Sequence, residues 1–159
     1  KGCSWPEGLA LAERCFNDVD QQRTQRPKPS PLMEDAASML RKLHAGGVQL
    51  AVISNDTRQG IQDFLDHHSL SNLFSSCWSA EDLPRKPDPQ AVHHLCRRLN
   101  LAPEHCALIG DAETDLTMAH QAGIGCVIGY RGGWTLPPVL PTAAHQLNSW
   151  GDLDLVANP

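Results

Sequence analysis

Short apolar runs alternate with amphipathic stretches through the middle of the chain. Helical spacing predicts a first amphipathic helix, whose apolar positions are Leu32, Ala36, Met39, Leu40 and Leu43. Gly46 and Gly47 follow this helix and supply its C-terminal stop. The run VQLAVI comes next, from Val48 to Ile53, and its apolar character is typical of a strand buried on both faces of a sheet.

The same alternation continues towards the C-terminus. The pattern predicts a helix around Ile61 and Leu65, a brief apolar patch at Cys77-Trp78, a helix through Leu99, the strand CALIG, a helix from about Thr114 to Ala122, the strand GCVIGY and an edge strand near residues 145–148. This order predicts right-handed crossovers and a parallel sheet between two layers of helices. The expected fold class is α/β, with a three-layer α/β/α Rossmann-like architecture.

Residues 1–31 form the least regular part of the sequence. A helix with one apolar face is predicted over GLALAERCFNDV. The prolines of the stretch QQRTQRPKPSP, which follows, forbid both a helix and a central strand. We therefore expect a linker or domain boundary here, a core over residues 32–150 and a tail over residues 151–159.

Composition narrows the classes of function. The chain has 159 residues, with 13 Lys plus Arg against 18 Asp plus Glu and a formal net charge of −5. This mild acidity argues against binding to nucleic acid or to an anionic membrane, since both need a basic face. No apolar run approaches the roughly 20 residues that span a bilayer. The six cysteines form no C-x-x-C pair, so we expect small buried hydrophobes in a reducing, cytoplasmic compartment, with disulfides or a zinc site as alternatives.

The candidates for a binding site are the polar residues that follow each strand, because ligands of such sheets bind beyond the carboxyl ends of the strands. Ser54 and Asn55 directly follow the first strand. A hydroxyl and adjoining backbone amides at that point make a small anion cradle ahead of the next helix. The alternative is an ordinary turn in which Asp56 or Thr57 caps the helix.

A second candidate is Lys86, which lies in the proline-stiffened loop Arg85–Pro89. A lysine held on a rigid loop supplies a fixed positive charge to a phosphoryl group or to its carboxylate partner. The alternative is a solvated lysine ahead of a helix that has proline near its start.

The sharpest candidate is the sequence from Gly110 to Asp115. The strand CALIG delivers Asp111 to its carboxyl end, and Gly110 allows a close approach of the backbone. Asp115 follows one helical turn later on the same side. Two carboxylates at one strand end suit a magnesium ion that binds through carboxylates, waters and a substrate phosphate. The alternative is a pair of acids placed at the positive end of a helix dipole.

Order and spacing connect these three candidates. A strand followed by Ser54-Asn55, the Lys86 loop about 30 residues later and Gly110-Asp111 about 25 residues after it resemble motifs two, three and four of the haloacid dehalogenase superfamily. The resemblance covers residues 32 to about 150 and includes the strand GCVIGY. Within that family, the sequence is similar to the phosphoglycolate phosphatase and phosphoglucomutase branches.

The resemblance implies a role for each matching residue. Ser54, with the backbone of Asn55, would donate hydrogen bonds to the transferring phosphoryl group. Lys86 would steady the charge between that group and the nucleophile. Asp111 and Asp115 would hold Mg²⁺, directly or through water. The G-D-x-x-x-D form of the fourth motif resembles that of phosphatases, so a phosphatase is expected before a dehalogenase.

The first motif of the family, D-x-D-G-T, carries the nucleophilic Asp and a second Asp that acts as general acid and base. Asp18-Val19-Asp20 is a poor match, because Gln21-Gln22 replace Gly-Thr. We therefore expect that the chain begins after this motif and that residues 1–25 resemble the last helix of the family's cap domain. The strand that is then missing is the central one, so its neighbours would expose apolar edges that could pair with a second copy of the chain.

Two hypotheses follow from the resemblance. The first is a magnesium-dependent phosphatase, a phosphoric monoester hydrolase that acts on a small phosphorylated metabolite through an aspartyl-phosphate. The second is a truncated or catalytically inactive domain that serves as a binding or structural module. Neither hypothesis involves nucleic acid or a membrane.

Overall fold

The computed structural model describes residues 30–154, and the predicted N-terminal helix and Asp18-Val19-Asp20 lie outside this range. The helices within it are α1 Ala36–Ala45, α2 Arg58–His67, α3 Pro89–Leu99 and α4 Glu113–Gln121. The strands are β1 Leu50–Ile53, β2 Phe74–Trp78, β3 Ala107–Gly110, β4 Cys126–Tyr130 and β5 His145–Leu147. Short 3₁₀ turns lie at Ser71–Leu73, Pro103–His105 and Trp150–Asp152.

The predicted alternation of helices and strands is confirmed within the described residues. The first helix begins at Ala36, four residues after Leu32, although Leu32 still packs against the core. The strand β2 was expected only as an apolar patch at Cys77-Trp78. Serines at positions 75 and 76 hide this strand in the sequence, because they break the apolar run that marks a buried strand.

The described strands form two parallel sheets. In the first, β1 pairs with β2, so that Ile53 lies opposite Trp78. In the second, β4 lies between β3 and β5. The sequence predicted one sheet with a gap in it, and β1 and β3, whose ends carry two of the candidate motifs, are not paired with each other. This break agrees with the expected gap.

Helices cover both faces of β1, which confirms the three-layer α/β/α architecture. Its residues Leu50 and Val52 pack into a cluster that includes Ile61 and Leu65 of α2. The alternate residue Ile53 points to the opposite face and packs against two clusters there. The larger of them joins α3, α4 and β4 through Val92, Cys96, Leu116, Met118, Ala119 and Val127. A single core on this face therefore connects the two sheets.

The four described cysteines are free thiols. Cys96 is buried as expected, whereas Cys77, Cys106 and Cys126 are half-buried. Burial, together with the neighbouring Cys106, raises the pKa of the Cys96 thiol to about 11, so the group is uncharged at neutral pH. No helix between residues 30 and 154 combines the length and the apolar character needed to cross a bilayer.

The 3₁₀ turn Trp150–Asp152 crosses the predicted boundary between core and tail. The ring of Trp150 packs on that of Tyr130, with 5.4 Å between the ring centroids. Ser149 caps the turn by accepting a hydrogen bond from the amide of Gly151. These contacts attach the turn to β4, while the domain boundaries themselves stay predictions.

Candidate functional site

An ion pair between a half-buried lysine and a buried aspartate joins two of the three predicted motifs. The Nζ of Lys86 lies 2.8 Å from Oδ1 of Asp115, and the side chains are only 16% and 8% exposed. Lys86 comes from the loop after β2, and Asp115 from the first turn of α4, which follows β3. The pair therefore brings the carboxyl ends of the two sheets together. The alternative of a solvated lysine does not describe this structure.

Gly110 makes room for Asp115. A Cβ atom added at Gly110, the last residue of β3, would lie 2.7 Å from the Cβ of Asp115 and 3.1 Å from its Oδ2. Any side chain at this position would therefore displace the carboxylate from Lys86. The close approach predicted for Gly110 is present, and the group that approaches is the second acid of the motif.

Asp111 and Asp115 differ in environment. Asp115 is buried and paired with Lys86, whereas Asp111 is exposed at the end of β3. Magnesium usually binds through one or two carboxylates and keeps several waters. An exposed acid four residues before a buried one suits such a site, because the exposed carboxylate is open to water and to a substrate phosphate. Across residues 30–154 no group of three or more His, Cys, Asp and Glu side chains could hold a metal ion.

Ser54 and Asn55 form a turn at the carboxyl end of β1. The Ser54 hydroxyl accepts a hydrogen bond of 3.1 Å from the amide of Asp56, and Asn55 is exposed. Thr57 caps α2 by accepting from the amide of Gly60 at 3.0 Å, so the expected capping role falls to Thr57. The structure thus shows the capped turn and places the Ser54 hydroxyl at the strand end.

Trp78 connects this turn to the lysine loop. The backbone oxygen of Trp78 accepts from the amide of Ser54 at 2.9 Å. Its indole Nε1 donates to the backbone oxygen of Pro84, also at 2.9 Å. Pro84 lies two residues before Lys86. One buried residue therefore contacts both motifs, although in the sequence it marks only an apolar patch.

A second support for the lysine loop is the pair of Arg58 and Asp82. The Arg58 Nη2 lies 2.7 and 2.8 Å from the two carboxylate oxygens of Asp82. Asp82 Oδ2 also accepts from the amide and the hydroxyl of buried Ser79, both at 2.8 Å. Burial raises the pKa of Asp82, but the Ser79 hydrogen bonds and the Arg58 charge outweigh it and leave this pKa below its ordinary value. The Asp82 charge in turn raises the pKa of Arg58.

Sequence alone found the charged residues of the site and missed those that hold them. Lys86 and Asp115 are brought into contact, Ser54 and Asn55 lie at the carboxyl end of β1, and Asp111 lies at the carboxyl end of β3. Trp78, Asp82 and Arg58 had no motif to mark them. Their contacts span up to 24 residues, so only the fold brings the partners together.

Comparisons with known proteins place these features in a family. The family model described as haloacid dehalogenase-like hydrolase matches residues 7–128. A phosphoglycolate phosphatase of Vibrio cholerae is 30% identical over 132 residues, which are 80% of this chain and 58% of that protein. The (S)-2-haloacid dehalogenase 4A of Burkholderia cepacia is 34% identical over 155 residues, or 92% of this chain and 66% of that one. The chain thus spans less than two thirds of the length of either relative.

Solved structures show the same two kinds of relative. The structure of a predicted phosphoglycolate phosphatase from Haemophilus somnus matches with a TM-score of 0.74 and 26% identity, covering 96% of this chain and 67% of that one. A dehalogenase structure matches with a TM-score of 0.65 and 31% identity, covering 75% of this chain and 53% of that one. The predicted fold class is confirmed by these matches, while both chemistries occur among the relatives.

Proposed function

Because this chain belongs to the haloacid dehalogenase-like hydrolase family, we propose that it supplies the phosphate-binding and magnesium-binding part of a phosphoric monoester hydrolase. The substrate class that we propose is a small phosphorylated metabolite. The observation that carries the proposal is the ion pair of half-buried Lys86 with buried Asp115, which follows the exposed acid Asp111 by four residues. A fixed cation, together with carboxylates that could hold a magnesium ion, suits a phosphoryl group, whose transfer depends on charge stabilisation.

Ser54, Lys86 and the two acids would each make a different contribution to binding the phosphoryl group. The Ser54 hydroxyl, which already accepts from the Asp56 amide, keeps its own hydrogen to donate to a phosphoryl oxygen. Lys86 places a positive charge that is held by Asp115 and shielded from water. Asp111 and Asp115 would hold magnesium, which when bound offsets the negative charge of the phosphoryl oxygens.

Covalent transfer also needs a nucleophile. In this chemistry a carboxylate oxygen forms a bond to phosphorus, the bond from phosphorus to the ester oxygen breaks, and the leaving oxygen takes a proton from a general acid; water then attacks phosphorus, which releases phosphate and regenerates the carboxylate. We assign residues 30–154 to the charge-stabilising half of this reaction. The attacking carboxylate would come from outside that range.

The second candidate function is a binding or structural module that keeps the anion site and performs no transfer. The same observation supports it, because the Lys86–Asp115 pair and the Ser54 turn need no nucleophile in order to bind phosphate. Under this proposal inorganic phosphate would bind in the presence of magnesium, and no ester would be hydrolysed.

Hydrolysis of p-nitrophenyl phosphate tests the proposal. In a protein that includes the segment carrying the attacking carboxylate, we expect turnover that requires MgCl₂, stops with EDTA, and falls by about 10²-fold or more in Asp111→Asn and Asp115→Asn, since each substitution removes charge at the phosphoryl group. Asp63→Asn is the matched control, because Asp63 is an exposed acid whose carboxylate accepts from Gln59 on the same helix. Activity that survives Asp111→Asn unchanged would contradict the metal assignment.

Two further measurements separate the alternatives. Magnesium-dependent binding of phosphate without hydrolysis, measured by calorimetry and lost in Asp111→Asn, would favour the binding module. Release of chloride from 2-chloropropionate in EDTA, with no hydrolysis of the phosphate ester, would favour a dehalogenase and overturn the phosphatase.

A further inference from the structure

Trp78 lies in a position to control the lysine loop. It ends β2 and is 3% exposed. Its indole N–H donates to the backbone oxygen of Pro84 at 2.9 Å, six residues along the chain and two residues before Lys86. A hydrogen bond to the backbone fixes the course of a loop more directly than a contact between side chains, because the backbone carries the residues that follow.

The indole itself is held by residues of α3. The His94 ring stacks on it, with 5.0 Å between ring centroids and an interplanar angle of 13°. The Arg98 guanidinium lies 4.9 Å from the indole centroid, and its Nη1 also donates to the backbone oxygen of Cys77 at 3.1 Å. Ala91 and Leu95 of the same helix belong to the cluster around the ring, against which Ala51 and Ile53 of β1 also pack. The indole therefore cannot turn away from Pro84 without disrupting the packing of α3.

The far end of the same loop is fixed independently. Asp88 caps α3 by accepting from the amide of Gln90 at 2.8 Å, and the amide of Asp88 donates to the backbone oxygen of Arg85. Lys86 thus lies between an anchor at Pro84 and a helix start at Asp88. Both anchors belong to α3 or to residues packed on it, whereas Asp115 belongs to α4.

We propose that Trp78 is a positioning residue whose indole N–H, by holding Pro84, sets the place at which Lys86 meets Asp115. The catalytic consequence rests on the proposed function, but the positioning itself does not. Loss of the N–H would leave the segment around Lys86 without a fixed point between Asp82 and Asp88, and the Lys86 ammonium would spend more time away from Asp115 and in contact with water.

The chemical reactivity of Lys86 measures this directly. In trace labelling with acetic anhydride, peptide mass spectrometry gives the ratio of acetylation at Lys86 to that at Lys42, whose side chain is 54% exposed. We expect Trp78→Phe to raise this ratio about three- to ten-fold, the effect of one lost hydrogen bond on the open population of the loop. A second variant replaces Trp78 with 3-benzothienylalanine, which keeps the two-ring shape and has sulfur where the N–H was.

The matched control is Leu95→Val, which reduces packing in the same cluster and leaves the indole N–H intact. We expect it to lower stability without changing the labelling ratio. An unchanged acetylation ratio in the benzothienyl variant would overturn the proposal. An equal rise of the ratio in Leu95→Val would also overturn it, because the greater reactivity of Lys86 would then follow from lower stability and not from the lost N–H.

Kinetics then separate this proposal from the proposed function. If the protein hydrolyses p-nitrophenyl phosphate, the benzothienyl variant should lower kcat about three- to ten-fold and leave KM within about two-fold, because Lys86 acts on the charge that develops during transfer. If neither the original protein nor the variant hydrolyses the ester or binds phosphate with magnesium, the proposed function fails, and the labelling ratio still decides the role of Trp78.

Discussion

At the scale of single residues, the site depends on the absence of a side chain at Gly110 as much as on its charged side chains. Gly110 leaves the space that the Asp115 Cβ fills, and the Asp115 carboxylate then reaches Lys86 at 2.8 Å. The pattern G-D-x-x-x-D is therefore a single steric unit, in which the glycine and the second acid require each other.

Gly110→Ala tests this unit. The added methyl group would lie 2.7 Å from the Asp115 Cβ, so the start of α4 must shift. We expect a loss of stability of about 1–3 kcal/mol in urea denaturation, the usual cost of overpacking, together with faster acetylation of Lys86. Gly123→Ala is the control: Gly123 has a φ of +75° with open space around it, so the loss there comes from backbone strain and should leave Lys86 unchanged. Equal Lys86 reactivity in the two variants would contradict the steric argument.

At the scale of elements, the loop between β2 and α3 is held to the start of α2. Arg58 and Asp82 make the connection, and Asp82 also satisfies the buried amide and hydroxyl of Ser79. The two partners are unequal, because the Arg58 side chain is 49% exposed and that of Asp82 is 12% exposed. Removing the acid leaves buried donors unpaired, whereas removing the arginine leaves a carboxylate that Ser79 still holds.

We therefore expect Asp82→Ala to lower the free energy of unfolding by about 2 kcal/mol and Arg58→Ala by less than about 1 kcal/mol. The effect of Asp82 should also depend on pH. Since its pKa is lower in the folded state than in the unfolded state, its contribution is present above the unfolded pKa and is lost as the pH falls through the folded pKa. The difference in stability between the original protein and Asp82→Asn should thus become smaller below about pH 4. A difference that is constant from pH 7 to pH 2.5 would be the contrary result in acid denaturation curves.

The strands also show which parts of the fold and of the site can be predicted from the sequence. The apolar runs ending at Ile53 and Gly110 predicted β1 and β3, and their following residues predicted the site, because in parallel sheets strand ends and binding sites coincide. The strand β2 escaped because Ser75 and Ser76 interrupt its apolar pattern. Trp78 escaped for a different reason: its partner at Pro84 is a backbone oxygen, which leaves no signature in the sequence.

At the scale of the whole described chain, two sheets share one core but not one set of hydrogen bonds. The cluster around Leu116 and Val127 receives Ile53 from β1, so packing crosses the break between β1 and β3. The burial of the strands follows the pairing. Every residue of β1 is half-buried, whereas four of the five residues of β4, which is paired on both sides, are buried.

The amide hydrogen exchange rates should therefore differ between the strands. We expect the amides of β4 to exchange slowly at every protein concentration, because strands on both sides hold them. The amides of β1 and β3 that face the break should exchange quickly at low concentration and more slowly as the concentration rises, since a second copy can add a strand to an unpaired edge. Sedimentation over the same range of concentrations is the companion measurement and should show association. Slow exchange of β1 at every concentration, without association, would contradict self-pairing and would mean that residues outside 30–154 fill the break within a single chain.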